Sequence, residues 1–118
     1  MTVVTGYFTD LSVPKKIFKG SNRIFHEGAI ASVFRSIAYP LATNEANVTG
    51  MLNSLIADRD REMRESPVCF LVIILQNTLT FPKREDMTPN PLFPYAISKL
   101  TEETNLKMFS EVYGFETL

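Results

Sequence analysis

Cysteine and histidine each occur only once in the 118 residues, as Cys69 and His26. A single cysteine excludes a disulfide within the chain, and its place in an apolar run favours a buried, inert thiol over a reactive one. A single histidine excludes a metal site built from histidines. We expect no metal, and we expect His26 to end a strand and to be held by backbone hydrogen bonds.

The chain also lacks strong charge and long hydrophobic runs. Its net charge of −1 provides no basic surface for nucleic acid or an anionic membrane. The longest apolar run, residues 68–75, is too short to cross a bilayer. No apolar stretch of a signal peptide follows Lys15 and Lys16. We therefore expect a single domain over residues 1–118, located in the cytoplasm, with neither nucleic acid nor membrane as a partner.

Two helices are predicted, over residues 40–57 and 94–113. In the first, apolar residues recur mostly every three or four positions, and Pro40 suits its first turn. Pro94 opens the second helix in the same way, and Gly114 is a typical C-terminal cap. Gly50 costs a helix interior about 1 kcal/mol relative to alanine, which indicates close packing at that position.

Strands and loops are predicted around these helices. Residues 1–4 favour β structure, a short strand starts at 23–25, and the β-branched run 68–75 indicates a buried strand. Residues 10–20 are turn-like, and prolines exclude regular structure from 80–91. The charged run 58–65 is interpreted as a solvated helix end and linker. Alternating strands and helices predict a parallel α/β sheet.

Tyr95 and Lys99 lie four residues apart in the first turns of the second predicted helix. Because four residues are slightly more than one turn, both side chains share a face. An ammonium beside a phenol favours the phenolate, which is a usable base near neutral pH. The spacing alone is a weak signal, so the flanking sequence decides its meaning.

The flanks resemble the active-site helix of extended short-chain dehydrogenases/reductases, in residues 89–100 (PNPLFPYAISKL) and 109–114 (FSEVYG). The similarity is closest to nucleotide-sugar 4-epimerases of the UDP-glucose or UDP-N-acetylglucosamine type. Further blocks of that family are matched by residues 25–33 (FHEGAIASV), 35–37, 40–50 (PLATNEANVTG) and 82–86. These blocks occur in the family's order over about two-thirds of the chain.

The resemblance implies NAD as cofactor and a nucleotide sugar as substrate, epimerised at C4 through a keto intermediate. By that resemblance Tyr95 would take the C4 hydroxyl proton, and Lys99 would assist it and hold the nicotinamide ribose. Ala29 would line the cofactor side and Ser32 the substrate side. Asn47 would support the site structurally. The loop and strand around residues 25–37 would lie over the cofactor.

The implied fold is a partial Rossmann-like, doubly wound parallel sheet with flanking helices. It lacks the first βα unit and the C-terminal substrate subdomain. Val3–Gly6 resembles only the start of the family's glycine-rich loop, which holds the pyrophosphate at a helix N-terminus. In an alignment without gaps, Thr9 stands where the family has the acidic residue that holds the adenosine ribose. Asp10 is the alternative candidate for that role.

The family's catalytic serine or threonine is also missing, because the strand at 68–75 has no hydroxyl before Thr78. One hypothesis is that this strand is read out of frame, since suitable codons shifted by one base encode a run of serines. The gene sequence tests this hypothesis, because codons that give no serines in either shifted frame contradict it.

Three functions follow from these observations. The first is an epimerase or dehydratase by descent, inactive as the isolated chain. The second is a non-catalytic remnant that uses helices 40–57 and 94–113 either to form a homodimer or to pair with an intact relative. The third, an unrelated α/β binding module, is disfavoured by the flanking blocks.

Overall fold

The computed structural model describes residues 2–61, 68–70 and 87–115, with the backbone alone described at 68–70. The elements in chain order are α1 (Ser12–Phe18), β1 (Ile24–His26), α2 (Val33–Ala38), α3 (Pro40–Asn44), a π-helical turn (Glu45–Thr49), α4 (Gly50–Arg59), β2 (Val68–Phe70) and α5 (Pro94–Tyr113). β1 and β2 pair in parallel, with Ile24 opposite Val68 and His26 opposite Phe70. The helices between them belong to the crossover that parallel neighbours require.

Both predicted helices are confirmed. α3, the π-helical turn and α4 follow one another without a break, so helical structure extends over 40–59, two residues beyond the predicted end. α5 has the predicted bounds, and Pro94 occupies its first turn. Gly114 ends it with a φ of 68°, and its N–H donates to the Ser110 carbonyl at 3.0 Å. A left-handed φ of this kind suits glycine because it has no Cβ.

The core lies between α4, α5 and β1. Met51 and Leu55 on α4 are fully buried, and they cluster with Leu106 and Phe109 on α5. The cluster also contains Ile24 from β1 and Phe115 from the segment after α5, whose ring meets Phe109 edge-on at 5.4 Å. Burying each such side chain contributes about 1.5–3 kcal/mol. This packing fixes α5 against the strand and thereby positions Tyr95 and Lys99.

Two short helices contradict the sequence interpretation. Residues 12–18 form α1 inside the stretch expected to be turn-like, because a proline in the first turn, Pro14, loses no intrahelical hydrogen bond. The Asp10 carboxylate accepts the Ser12 N–H at 3.0 Å and satisfies one unpaired donor at its start. Residues 33–38 form α2 rather than a strand and loop, and the Ser32 hydroxyl caps its first turn.

Two further expectations were wrong. Residues 2–4 are not in a strand: Val3 and Val4 are exposed, and no ladder pairs this segment with another described residue. The charged run is only partly solvated, because the Asp58 and Arg61 side chains are buried in an ion pair with each other. Asp60 is exposed and pairs with Lys15 at 2.9 Å, as expected of a solvated residue.

The predicted strands that start near residues 23 and 68 are confirmed at their beginnings by β1 and β2. Residues 71–75, Thr78, 80–86, Glu62 and Glu65 lie outside the described residues, as does the side chain of Cys69; the out-of-frame hypothesis therefore stays a prediction. The described part of the proline-rich loop, 87–91, has no helix or strand. None of the helices among the described residues combines the length and hydropathy needed to cross a membrane.

Candidate functional site

Asn47 is the centre of the polar contacts around the predicted site. It is fully buried in the π-helical turn. Its side-chain oxygen accepts the Ile30 backbone N–H at 2.7 Å, and its amide nitrogen donates to the Ser98 hydroxyl at 3.0 Å. One side chain therefore joins the loop after β1 to α5. The expectation that Asn47 supports the site structurally agrees with these contacts.

Tyr95 lies in the first turn of α5, and only 8% of its surface is exposed. The Ser98 hydroxyl donates to the Tyr95 carbonyl at 2.8 Å and accepts from Asn47 on its other side. Since Ser98 is itself buried, this chain of hydrogen bonds fixes the start of the helix. The tyrosine is thus held on a rigid element beside the loop after β1.

Lys99 is buried on the same helix, with 5% of its surface exposed. Its ammonium donates to Glu102 Oε2 at 2.9 Å, and Glu102 is buried as well. Burial raises the pKa of the Glu102 carboxyl, and the hydrogen bond and charge of Lys99 oppose that rise. Sequence reasoning missed Glu102, although an acid three residues after a lysine on a helix is a recognised pairing distance.

His26 ends β1, as expected, and hydrogen-bonds the Gly28 backbone. Its Nδ1 lies 3.3 Å from the Ser54 hydroxyl of α4. Burial lowers the pKa of the His26 imidazole, and the nearby Lys99 charge lowers it further, while the Gly28 contact opposes both. His26, at the carboxyl end of β1, is thus affected by the charge of Lys99, which is itself paired with Glu102.

Ala29 and Ser32 lie on the segment between β1 and α2, and both are half-buried. Ala29 precedes Ile30, whose N–H is held by Asn47. The Ser32 hydroxyl accepts the Arg35 N–H at 3.2 Å, so it caps α2 in this structure. Their assignment to the cofactor side and the substrate side stays a prediction.

Asp10 is exposed and lies at the start of α1. Hydrogen bonds from the side chain and backbone of Ser12 hold the pKa of its carboxyl below the ordinary value. The preceding carbonyls, of Phe8 and Thr9, accept from the Asn53 amide at 3.2 and 2.8 Å. Asp10 is therefore anchored to α4 through Asn53, whereas Tyr95 is anchored through Asn47.

Phe8 covers two glycines near the end of β1. A Cβ built on Gly50 would lie 2.2 Å from two atoms of the Phe8 ring, and one on Gly28 would lie 2.9 Å from it. The same ring meets His26 edge-on at 5.4 Å. The close packing expected at Gly50 is confirmed, and the partner that explains it is Phe8.

Two cavities lie outside the Tyr95 region. One of about 380 Å³ is lined by residues of α1, the turn after it and the end of α4: Lys15, Lys19, Gly20, Ser21, Ala57, Asp60 and Arg61. A groove of about 170 Å³ beside β1 is lined partly by Phe8, His26, Gly28 and Ser54. Neither is lined by Tyr95 or Lys99, so we place the candidate site by its polar contacts rather than by cavity size.

Comparison with known proteins decides the family. The model of the NAD dependent epimerase/dehydratase family matches residues 1–118. The chain belongs to that family. The expected relationship to nucleotide-sugar epimerases is confirmed, and NAD is the cofactor on which the family depends.

Solved structures of family members share the fold. A UDP-N-acetylglucosamine 4-epimerase from Methanobrevibacter ruminantium M1, in complex with UDP-N-acetylmuramic acid, superposes with a TM-score of 0.88 at 30% identity, covering 98% of this chain and 37% of that one. The UDP-glucose 4-epimerase of Thermotoga maritima with UDP-glucose gives 0.83 at 27% identity, covering 95% and 38%. The Thermus thermophilus enzyme of the same name, with NAD, gives 0.82 at 26% identity, covering 95% and 37%.

The chain therefore spans less than two-fifths of the length of these relatives. The described residues have a parallel strand pair packed against helices, which is a partial α/β arrangement. The full doubly wound sheet is not visible in them.

The described residues fit NAD poorly at the pyrophosphate. Gly6 is followed by Tyr7 and Phe8 rather than by further glycines and a helix. At the first helix, α1, the Ser12 N–H is already taken by the Asp10 carboxylate, whose negative charge opposes a phosphate there. At the opposite end of the expected dinucleotide site, Tyr95 and Lys99 are present on α5, but Lys99 forms an ion pair with Glu102. The described residues therefore form no complete dinucleotide site.

Proposed function

We propose that this family member has the sugar-side part of a nucleotide-sugar site, inherited from UDP-sugar 4-epimerases, and that it is inactive as the isolated chain. By descent, Tyr95 corresponds to the base that takes a sugar hydroxyl proton, and Lys99 to the residue that assists it and holds the cofactor. Ala29 corresponds to the cofactor side and Ser32 to the substrate side. In this proposal β1 and β2 belong to a larger doubly wound parallel sheet.

The Asn47 bridge is the observation that carries this proposal. Its two hydrogen bonds hold the Ala29–Ser32 loop and the Tyr95 helix at a fixed separation without any ligand. A site held in advance by buried contacts is the arrangement expected of a group that must be oriented toward a substrate. The nucleotide sugars bound in related structures support this choice of ligand class.

The poor fit to NAD supports inactivity. Without a glycine-rich loop, the described residues offer no row of free backbone N–H groups for the pyrophosphate. Asp10, the candidate for the adenosine ribose, is held at the start of α1. No redox step therefore follows from the described residues.

Calorimetric titration with NAD tests the inactivity, and a sub-millimolar dissociation constant would contradict it. NMR titration with UDP-glucose and UDP-N-acetylglucosamine tests the sugar site. We expect millimolar binding with shifts of the Tyr95, Ser98 and Ser32 amides, and no such shifts with glucose alone. Unchanged amides at saturating nucleotide sugar would refute the site.

Self-association is a second candidate function, favoured by the outer faces of the long helices. Leu41 on α3 is 85% exposed, and Ile97 and Val112 on α5 are 53% and 64% exposed. Apolar surface of this kind marks interaction sites. A two-fold homodimer through residues 40–59 and 94–113 would bury the same face on both copies.

Sedimentation velocity at several concentrations tests the dimer. We expect Ile97→Glu and Val112→Glu to shift the chain toward monomer, because each places a carboxylate in the apolar face. Val3→Glu is the matched control, since Val3 is also exposed, at 79%, but lies on neither helix. A wild-type chain that stays monomeric at all concentrations would exclude this candidate.

A further inference from the structure

The larger cavity lies between α1, the turn after that helix and the end of α4, and its volume is about 380 Å³. Sites for small molecules commonly have volumes of roughly 300–1,000 Å³. The residues that line it include none of those proposed above for the nucleotide sugar and its cofactor. The cavity is therefore a separate feature of the molecule, which the proposed function does not use.

A tight turn after α1 places Lys19 and Gly20 in the wall of this cavity. Lys19 has a φ of −58° and a ψ of 118°, Gly20 has a φ of 77°, and the Ser21 N–H donates to the Phe18 carbonyl at 3.0 Å. These are the features of a type II turn, whose third residue needs a positive φ and is therefore usually glycine. A Cβ built on Gly20 would meet no described atom within 4 Å, so the turn borders open space.

Buried contacts hold another part of the wall in place. Arg61, just after α4, has a side chain that is only 4% exposed and is ion-paired with Asp58. Its Nη1 donates to the Ser21 carbonyl, which joins the end of α4 to the turn after α1. Ala57, which also lines the cavity, is buried. This part of the wall is thus fixed without a ligand, which lowers the entropic cost of binding one.

Positive charge predominates in the lining, although the whole chain has a net charge of −1. The lining contains three cationic side chains and a single carboxylate, that of Asp60. Asp60 is already shared by Lys15 and Arg59, each at 2.9 Å. Lys19 is exposed, and its ammonium forms no hydrogen bond or ion pair with another described residue. The ammonium of Lys19 is therefore available to a ligand.

The lining favours an anionic ligand over a metal ion, because ammonium and guanidinium groups repel metal cations. Lysine and arginine bind phosphate oxygens through charge-assisted hydrogen bonds, which are stronger than neutral ones. A water molecule occupies about 30 Å³ of the liquid, so the cavity has room for more than a phosphate ion. Asp60 and the Ser21 hydroxyl also line it, and both groups can hydrogen-bond hydroxyls of an organic body.

We propose that this cavity binds the phosphate group of a small phosphorylated molecule that also bears hydroxyl groups. Lys19 is the main charged contact of the phosphate, Arg61 is a fixed part of the wall, and Asp60 accepts hydrogen bonds from the hydroxyls. Binding requires no covalent step and no contact with Tyr95 or Lys99.

NMR titration of the full chain with inorganic phosphate tests the anion site, at an ionic strength kept constant with chloride. We expect saturable shifts of the Lys19, Gly20 and Ser21 amides. Lys19→Met should weaken binding about tenfold, because it removes a charge-assisted hydrogen bond. Lys16→Met is the matched control, since Lys16 is exposed on the same helix but does not line the cavity. It removes an equal charge and should leave phosphate binding unchanged.

Glucose 6-phosphate and glucose test the organic part of the ligand. We expect glucose 6-phosphate to bind more tightly than inorganic phosphate, and glucose alone to shift none of these amides. Absent or unsaturable shifts with phosphate, or equal weakening in the two lysine variants, would overturn the proposal. Equal affinities for phosphate and glucose 6-phosphate would overturn the assignment of an organic ligand. Failure of nucleotide-sugar binding near Tyr95 would leave all these outcomes unaffected.

Discussion

Asn47 shows how much of this site depends on a single residue. Asn47→Ala removes the acceptor of the Ile30 N–H and the donor to Ser98, and it opens space in a fully buried position. We expect a loss of unfolding free energy of about 2–4 kcal/mol, measured by urea denaturation.

Asn53→Ala is the matched control on the same helical stretch. Asn53 is half-buried and donates to two carbonyls, of Phe8 and Thr9. Because half-exposed carbonyls regain water, we expect a loss of only about 1 kcal/mol. Equal losses in the two variants would show that Asn47 has no special role in joining the loop to α5.

His26 makes stability depend on pH at mildly acidic values. The lowered pKa of its folded state means that the unfolded chain binds the proton first as pH falls. The contribution of His26 to the free energy of unfolding is therefore complete above the ordinary histidine pKa of about 6.5. It is lost as the pH falls through the lower pKa of the folded state. Glu102 has the opposite sign, since its raised pKa makes stability fall as pH rises above its ordinary value.

Denaturation between pH 5 and 8 measures this dependence. His26→Asn removes the only imidazole, so we expect it to flatten the loss of stability between pH 6.5 and 5. Glu102→Gln should keep the loss of stability that His26 causes on acidification. It should remove the gain of stability that the Glu102 carboxyl contributes as the pH falls. If the wild type and His26→Asn lose the same free energy on acidification, the change in His26 charge is not its cause.

At the scale of elements, the packing of α4 against the segment before α1 depends on Gly50. Alanine has the higher helix propensity by about 1 kcal/mol, so Gly50→Ala would stabilise an open helix. Here its Cβ meets the Phe8 ring at 2.2 Å, and we expect a net loss of about 1–3 kcal/mol.

A double variant checks that Phe8 is the cause. In the Phe8→Ala background the obstacle is gone, and Gly50→Ala should become neutral or stabilising. The coupling between the two positions, from denaturation of all four chains, is the quantity to measure. Additive effects would contradict the packing of Phe8 over Gly50.

The elements that sequence could predict are the long ones with clear ends. Helices 40–59 and 94–113 each begin at a proline, and Gly114 ends the second. α1 and α2 were missed because six or seven residues are too few for a periodic pattern, although Asp10 and Ser32 are recognisable cap residues.

The candidate site also contains both residues that the sequence could predict and residues that it could not. Tyr95, Lys99 and Asn47 were predictable because the flanking blocks identify them. Glu102 and Phe8 were not, since their roles depend on three-dimensional contacts that the local sequence does not indicate: a buried acid beside Lys99, and a ring placed over two glycines. Asp58 was misjudged because a charged residue in a charged run carries no signal of burial by Arg61.

For the whole molecule, the main consequence of the partial sheet is apolar surface beside β1. Ile24 and His26 face the helices, whereas Phe25, between them, faces outward and is 68% exposed. Strands of parallel sheets are ordinarily buried on both faces. We therefore expect the folded chain to bind an apolar fluorescent dye at this face.

Phe25→Thr tests that expectation, because threonine keeps strand propensity while removing the ring. Dye fluorescence should fall, and the unfolding free energy should stay within about 0.5 kcal/mol, since little packing is lost. Phe34→Thr is the control: Phe34 is 85% exposed but lies on α2, away from the strand face. If both variants reduce the dye signal equally, scattered apolar side chains bind the dye. A selective loss in Phe25→Thr locates the binding at the uncovered face of β1, where a further layer of structure would pack.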